Sequence, residues 1–407
     1  MPYLELSVFL FVYAGMMLGG IPRLALDRTG VALLGAILLL SFGAVNSREA
    51  WDAIDIPTMG LLFGLMVVSA QLRLGGFYSK LTRSIAEVDL TPPYLLGLIM
   101  TAAAVLSALL CNDIICLAMT PILIDSCTHR RQNPYPFLLG LACASNIGSA
   151  ATLIGNPQNM LIGQYLNLSF AVYSLQAFVP VIASLLFTWV FLTLVYKGKW
   201  NAPLETAVSD RTSFHGWQSL KGLMILGALV FSFLVLPFPR EVLALAAAGL
   251  LLMSRKMATR RMLGLVDWHL LVLFAGLFIV NDGIRRAGYV QELLRVFQSI
   301  HIDLTQPLPL FISTPILSNL VSNVPAVMLL LHVSDHPSAG LILALTSTLA
   351  GNFILVGSIA NLIVVEQAQR AGIQISWFTH LKVGVPVTLV SLLITAIWIW
   401  SMPFFLS

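Results

Sequence analysis

The sequence predicts an all-α integral membrane protein with about ten transmembrane helices, two re-entrant hairpins and two helices broken at the midplane, arranged as an inverted structural repeat. Three observations predict this. Of the 407 residues 58% are hydrophobic and only 10% are charged, where soluble domains carry roughly 25% charged residues. Apolar stretches approaching the roughly 20 residues needed to cross a bilayer core recur along the whole chain. Polar, glycine-containing interruptions also recur inside apolar sequence, at matching places in the two halves.

Ten candidate spans cover residues 3–20, 29–45, 57–72, 137–164, 173–196, 219–236, 240–255, 267–281, 339–365 and 380–401. Two further apolar segments, 93–127 and 307–333, are interrupted near their middles at Cys111-Asn112-Asp113 and at Ser322-Asn323. Each is assigned as a hairpin that enters and leaves on one side, and the positive charges test the assignment. With hairpins, 17 of the 22 Lys and Arg fall on one side and 5 (Arg48, Arg240, Arg285, Arg286, Arg295) on the other. Positively charged loops stay in the cytoplasm, so the rich side is cytoplasmic and both termini lie outside it. The first span has no Lys or Arg before it and Arg23 and Arg28 soon after. That is the reverse of a secretory leader, so it is expected to remain as an anchor in the inner or plasma membrane, with the lipid bilayer as partner. The net charge of +4 reflects loop bias and implies no nucleic-acid partner.

The repeat is visible residue by residue. IDIPTMGLLFGLMVVSAQLRLGGF aligns with VDWHLLVLFAGLFIVNDGIRRAGY at an offset of 212, pairing Asp55 with Asp267, Gly64 with Gly276 and Arg73 with Arg285. Ser107 and Asn112 pair with Ser318 and Asn323 at offset 211; Gly155 and Asn159 pair with Gly357 and Asn361 at offset 202. Five crossings plus one hairpin per half force the second copy to insert upside down. The domains are therefore a first repeat, 1–200, a polar cytoplasmic linker, 201–218, carrying Pro203, Glu205 and Asp210, and a second repeat, 219–407. The hairpins then enter from opposite faces, and their tips can meet near the midplane.

The interruptions nominate the site. In Thr152-Leu153-Ile154-Gly155-Asn156-Pro157-Gln158-Asn159, the glycine admits unusual backbone angles and the proline lacks a donor, so the helix should unwind. Unwinding exposes carbonyls to a cation and a helix N-terminus to an anion. The second copy, Val356-Gly357-Ser358-Ile359-Ala360-Asn361, lacks the proline but keeps Gly and Asn. At the tips, Asn112 and Asn323 offer donors and acceptors, while Ser107 and Ser318 could add hydroxyls or serve as ordinary glue between helices. Asp113 is the most telling residue, because an ionisable group deep in a membrane is costly; its counterpart is Val324. It can hold Na⁺ or exchange a proton, or else cap the following helix.

Other classes are disfavoured. There is no H-E-x-x-H, no G-x-S-x-G, and no second intramembrane Asp to pair with Asp113, so no enzyme is predicted. No P-loop is present, so ATP-driven transport would require a separate ATPase subunit, which is not expected. His332 and His336 flank Asp335 at a metal-like spacing but without a third ligand. Cys116, Cys127 and Cys143 read as small buried apolar residues, and Cys111 sits at a break. No cofactor is expected beyond H⁺ or Na⁺ as coupling ion, and a homodimer is left open.

CNDIICLAMTP, SNIGSAATLIGNPQN, LSNLVSNVPAVMLLL and VGSIANLIV together resemble the ion-transporter superfamily of arsenite permeases, NhaD-type sodium/proton antiporters, citrate transporters and divalent-anion/sodium symporters. The resemblance covers nearly the whole chain and implies a scaffold part and a transport part. It implies tip roles for Asn112, Ser322 and Asn323 and break roles for Gly155 and Gly357. The breaks and tips themselves add Asn156, Asn159, Ser358 and Asn361 as candidate substrate or ion contacts, with weaker ones at Ser107, Cys111 and Thr152. Sodium would sit at Ser318, Asn323 and Gly357 and at Ser107, Asn112 and Gly155. Two departures count: Cys111 replaces a tip serine, and Asp113 and Val324 replace tip threonines. An Asn-Asp tip is similar to the arsenite-permease and NhaD branch. The expectation is a proton- or sodium-coupled secondary transporter of a small anion or metalloid oxyacid, of the arsenite, inorganic-anion or carboxylate class, working by alternating access. Sodium/proton antiport is the alternative.

Overall fold

Prolines start several helices where the missing donor costs nothing, and one of them, Pro157, restarts the chain after the first interruption. A computed structural model describes residues 3–21, 24–201, 214–254, 256–292, 295, 303–333 and 336–402. Most of the expected linker (202–213), Arg23, Arg211, Arg255 and Asp335 lie outside the described residues.

The first half contains α1 (Leu4–Leu18), α2 (Arg28–Ser41), α3 (Ser47–Ala53), α4 (Ile56–Leu74), α5 (Phe77–Ala86), α6 (Pro92–Leu109), α7 (Asn112–His129), α8 (Pro134–Ser149), α9 (Pro157–Tyr165) and α10 (Phe170–Val195). A two-residue antiparallel pair, Gly20–Ile21 with Leu26–Asp27, links α1 to α2. The second half contains α11 (Gly216–Val235), α12 (Arg240–Leu252), α13 (Thr259–Leu263), α14 (Trp268–Arg286), α15 (Pro307–Val321), α16 (Asn323–Leu331), α17 (Ala339–Ala350), α18 (Ile359–Arg370) and α19 (Trp377–Ser401).

The chain is an all-α membrane protein. Both interrupted spans are broken where expected, α8 from α9 and α17 from α18, and both hairpins are helix–break–helix units, α6–α7 and α15–α16. Several lengths differ from the expectation. The helices α4, α6, α10, α11, α14 and α19 are long and apolar enough to cross a membrane, so α6, expected as a hairpin arm, has the length of a span. The spans expected at 3–20, 29–45 and 240–255 contract to 15, 14 and 13 residues. At 1.5 Å per residue these reach only about 20 Å. The short helices α3, α5 and α13 were not anticipated.

Two groups of helices pack together. In one, α4 lies on α12 and α2 on α14, with α1 and α11 alongside. In the other, α6 packs on α8, α15 on α17, α7 on α18, α9 on α16, and α10 on α19. Helices equivalent by sequence offset make equivalent contacts. The glycines show this at atomic level: a Cβ on Gly64 would lie 2.6 Å from the Ala244 carbonyl carbon, and one on Gly276 would lie 2.8 Å from that of Ala32. Ala32 and Ala244 are themselves 212 apart. The α8 and α17 helices are apolar and buried essentially all round, the mark of a central element. By contrast α10 and α19 expose Leu175, Leu186 and Leu194, and Leu389, Leu393 and Ile397, surfaces suited to lipid.

Candidate substrate and ion site

The α8 helix stops at Ser149 and α9 restarts at Pro157, the proline standing at the first position of the new helix rather than kinking an old one. Asn156 caps that start, its Oδ1 accepting from Asn159 N at 2.9 Å. In the second half Ser358 does the same, its Oγ accepting from Ala360 N at 3.2 Å. The glycines serve close approach rather than an unusual backbone angle, since neither has positive φ. A Cβ on Gly155 would meet Ser149 O at 2.2 Å and Ser107 O at 2.7 Å; on Gly357 it would meet Asn319 Oδ1 at 2.8 Å.

The two asparagines four residues after those glycines bind the freed backbone. Asn159 Nδ2 donates to Thr152 O (3.1 Å) and Ser149 O (3.5 Å); Asn361 Nδ2 donates to Ile354 O (3.4 Å) and Gly351 O (2.8 Å). Some of the carbonyls expected to face a cation are thus held by side chains of their own break. The breaks then meet each other across the repeat. Asn146 Nδ2 donates to Asn361 Oδ1 (3.1 Å) as Thr348 Oγ1 donates to Asn159 Oδ1 (3.3 Å), and Asn156 Nδ2 reaches Thr348 Oγ1 (3.1 Å) as Ser358 Oγ reaches Asn146 Oδ1 (2.9 Å). Asn146 Nδ2 also donates to Asn352 Oδ1 at 2.8 Å. Thr152 Oγ1 bonds Ala108 O in the first hairpin.

The tips join this network from either side. Asn112 is the first residue of α7; its N donates to Gly155 O (3.3 Å) and its Nδ2 to Asn146 Oδ1 (3.1 Å). Ser107 Oγ donates to Ser145 Oγ at 3.2 Å. In the second hairpin one residue makes the break: Ser322, with φ 79, a conformation side chains rarely adopt. Asn323 opens α16, and its Oδ1 bonds Ser318 Oγ, which also donates to Ser347 O at 3.2 Å. The Ser347 Oγ and Asn319 Oδ1 oxygens are buried without hydrogen-bond partners among the described residues.

Asp113 stands in the first turn of α7, half-buried, with no capping bond from Cys111 and no hydrogen bond or ion pair among the described residues. Capping is therefore not its role. Asp267, at the start of α14, is exposed and caps that helix, its Oδ1 accepting from Leu270 N at 3.0 Å. Asp282 is paired with Arg285 and Arg286. His332 Nδ1 meets Met328 O at 2.7 Å, and His336 Nδ1 meets Ser338 Oγ at 2.5 Å; the two are engaged locally.

Sequence reasoning missed Asn146, Thr348 and Asn352, the hubs of the network, and a further pair. Tyr173 OH donates to Ala150 O at 2.8 Å, and His380 Nε2 meets Asn352 O at 3.1 Å. Both tether the carbonyl that opens a break, from equivalent turns of α10 and α19. The SNIGSA string contained Asn146; nothing local distinguished Tyr173 or His380.

A duplicated network of amides and hydroxyls inside an apolar bundle is a transporter's architecture, and the comparisons agree. The CitMHS citrate transporter family matches residues 9–341. The chain belongs to the citrate transporter family. Within its wider relations the chain is 29% identical to the silicon efflux transporter LSI3 of Oryza sativa subsp. japonica, over 93% of each chain. It is 30% identical to the inner membrane protein YbiR of Escherichia coli, over 93% of this chain and 96% of that one. Its fold resembles the crystal structure of the Alcanivorax borkumensis YdaH transporter at a TM-score of 0.59 and 13% identity, covering 98% and 97% of the two chains. This citrate transporter family member is a multi-pass membrane transporter.

Proposed function

We propose that the protein is a secondary active transporter of a small oxyacid or weakly charged oxyanion, coupled to protons through Asp113 and working by alternating access. The observation that carries this reading is the composition of the site. Asn112, Asn146, Asn156, Ser322, Asn323, Ser358 and their neighbours offer amides and hydroxyls, with one partner-free carboxylate and no Lys or Arg in the network. Such a lining suits a neutral polyhydroxy acid, whose O–H groups both donate and accept; a multiply charged anion would meet Asp113 without a balancing cation. The relative named as a silicon efflux transporter supports the oxyacid class. In this reading residues 1–200 and 219–407 are inverted halves, the face bearing Arg240 is outside, and the membrane is the inner or plasma membrane.

Replacing Asp113 with Asn should abolish pH-driven movement of silicic or arsenous acid in everted vesicles; undiminished pH dependence would remove Asp113 from the coupling. One observation favours sodium as a second coupling ion. The unpartnered Asn319 Oδ1 and Ser347 Oγ adjoin Ser318, Asn323 and Gly357, oxygens a cation would gather. Asn319→Leu should then raise the Na⁺ concentration needed for half-maximal transport, and an unchanged value would count against sodium there.

A further inference from the structure

The two packing groups are joined differently on their two faces. On the face bearing Arg240, the α12 start clasps the end of α9: Arg240 Nη2 donates to Gly163 O at 2.6 Å, and Gln164 Nε2 donates to Glu241 Oε2 at 3.0 Å. The α9 helix also packs on α4, and α16 on α14. Between α1 and α16, Tyr13 OH is shared by Asn281 Oδ1 (2.9 Å) and Pro325 O (3.3 Å). A cavity of about 230 Å³ opens on this face, but Asn281 and Met328 line it and the tip residue Asn323 does not.

The opposite face holds the equivalent parts unfastened. At offset 212 Arg240 corresponds to Arg28, and at offset 202 Gly163 and Gln164 correspond to Val365 and Glu366. Arg28 begins α2 as Arg240 begins α12. Its Nε is buried without a partner, and it makes no hydrogen bond or ion pair among the described residues. A buried guanidinium nitrogen left unpaired is costly. Glu366 pairs instead with exposed Arg370 at 2.6 Å. The packings of α18 on α14 and of α7 on α4 are sparse beside their counterparts.

We propose that Arg240 and Arg28 are alternating positioning residues of the transport cycle. The structure is the state closed on the Arg240 face. In the opposite state Arg240 releases α9, and Arg28 closes on the end of α18, meeting the Val365 carbonyl and the Glu366 carboxylate. Inverted halves must exchange roles when access alternates, and the exchange gives Arg28 the partners it lacks. The inference rests on the alternating-access reading above and not on the substrate class.

The test needs no substrate, so an error in the proposed substrate leaves it intact. Cys111 at the first tip is partly exposed, and Cys116, Cys127 and Cys143 are buried, so Cys111 reports access, with Cys111→Ala as background. A membrane-impermeant maleimide is applied to everted and right-side-out vesicles. Losing a charge-assisted bond shifts a two-state balance roughly tenfold. Arg240→Ala should slow labelling in everted vesicles and speed it in right-side-out ones by about that factor, with Arg240→Lys shifting it less in the same sense. Arg28→Ala should shift it oppositely, and Glu366→Gln should follow Arg28→Ala more weakly. Equal signs for Arg28→Ala and Arg240→Ala, or no change in variants that elute as folded protein in detergent, overturns the proposal.

Discussion

The first and second breaks perform the same task with different side chains. Asn156 and Ser358 cap the restarting helix, Asn159 and Asn361 hold the freed carbonyls, and Tyr173 and His380 tether the carbonyl at which each break opens. The hydrogen-bond geometry is kept while the residues are exchanged, because an unpaired backbone group in hydrocarbon is costlier than any particular choice of partner. What differs is what each half adds. The first has Asp113 and a tip asparagine bonded to Asn146; the second has Val324 at the matching position and leaves Asn319 Oδ1 and Ser347 Oγ without partners among the described residues.

The largest test of that comparison is at the glycines. A Cβ at position 155 would strike two backbone oxygens, whereas at position 357 it meets first the end of the Asn319 side chain, which could yield at the cost of its bonds to Pro315 O and Ala350 O. Gly155→Ala should cost about 3 kcal/mol and Gly357→Ala about 1 kcal/mol, read as the drop in melting temperature in detergent. Equal drops would mean that the two breaks are equally rigid. Next come the carbonyl holders. Asn159→Ala orphans the Thr152 carbonyl, leaves Ser149 O to Asn156 Nδ2 alone, and also loses the bonds to Tyr173 and Thr348, so it should cost about 2–3 kcal/mol, and Asn361→Ala about 1–2 kcal/mol. The reverse order in the same melting measurement would place the anchor of the network in the second half. Smallest are the tethers: Tyr173→Phe should cost about 1 kcal/mol, and His380→Tyr, which substitutes the first half's solution, should cost less than His380→Phe. If the phenol does not rescue, His380 contributes more than a donor.

Much of this was legible beforehand because it follows from local chemistry. Pro157 and Gly155 announced an interruption, the spacing of Gly and Asn announced its copy, and the apolar stretches announced the helices. Asp113 stood out because a carboxylate in apolar sequence has no ordinary explanation. The role of Asn159 was legible only as a polar residue in the right place, since whether an amide binds a ligand or its own backbone depends on which carbonyls the break turns toward it. The lengths of α1, α2 and α12 were overestimated because hydropathy continues past the point where capping and turn geometry end a helix.

The sequence by itself determined the membrane fold, the duplication and the position of both breaks, because hydropathy, helix-breaking residues and repeat spacing act over short stretches of chain. The tertiary structure alone decided that Asn146 and Thr348 join the two breaks, and that Arg240 is engaged where Arg28, among the described residues, is not. Those facts depend on which helices meet, and in the bilayer interior a polar group takes whatever partner the packing brings within reach.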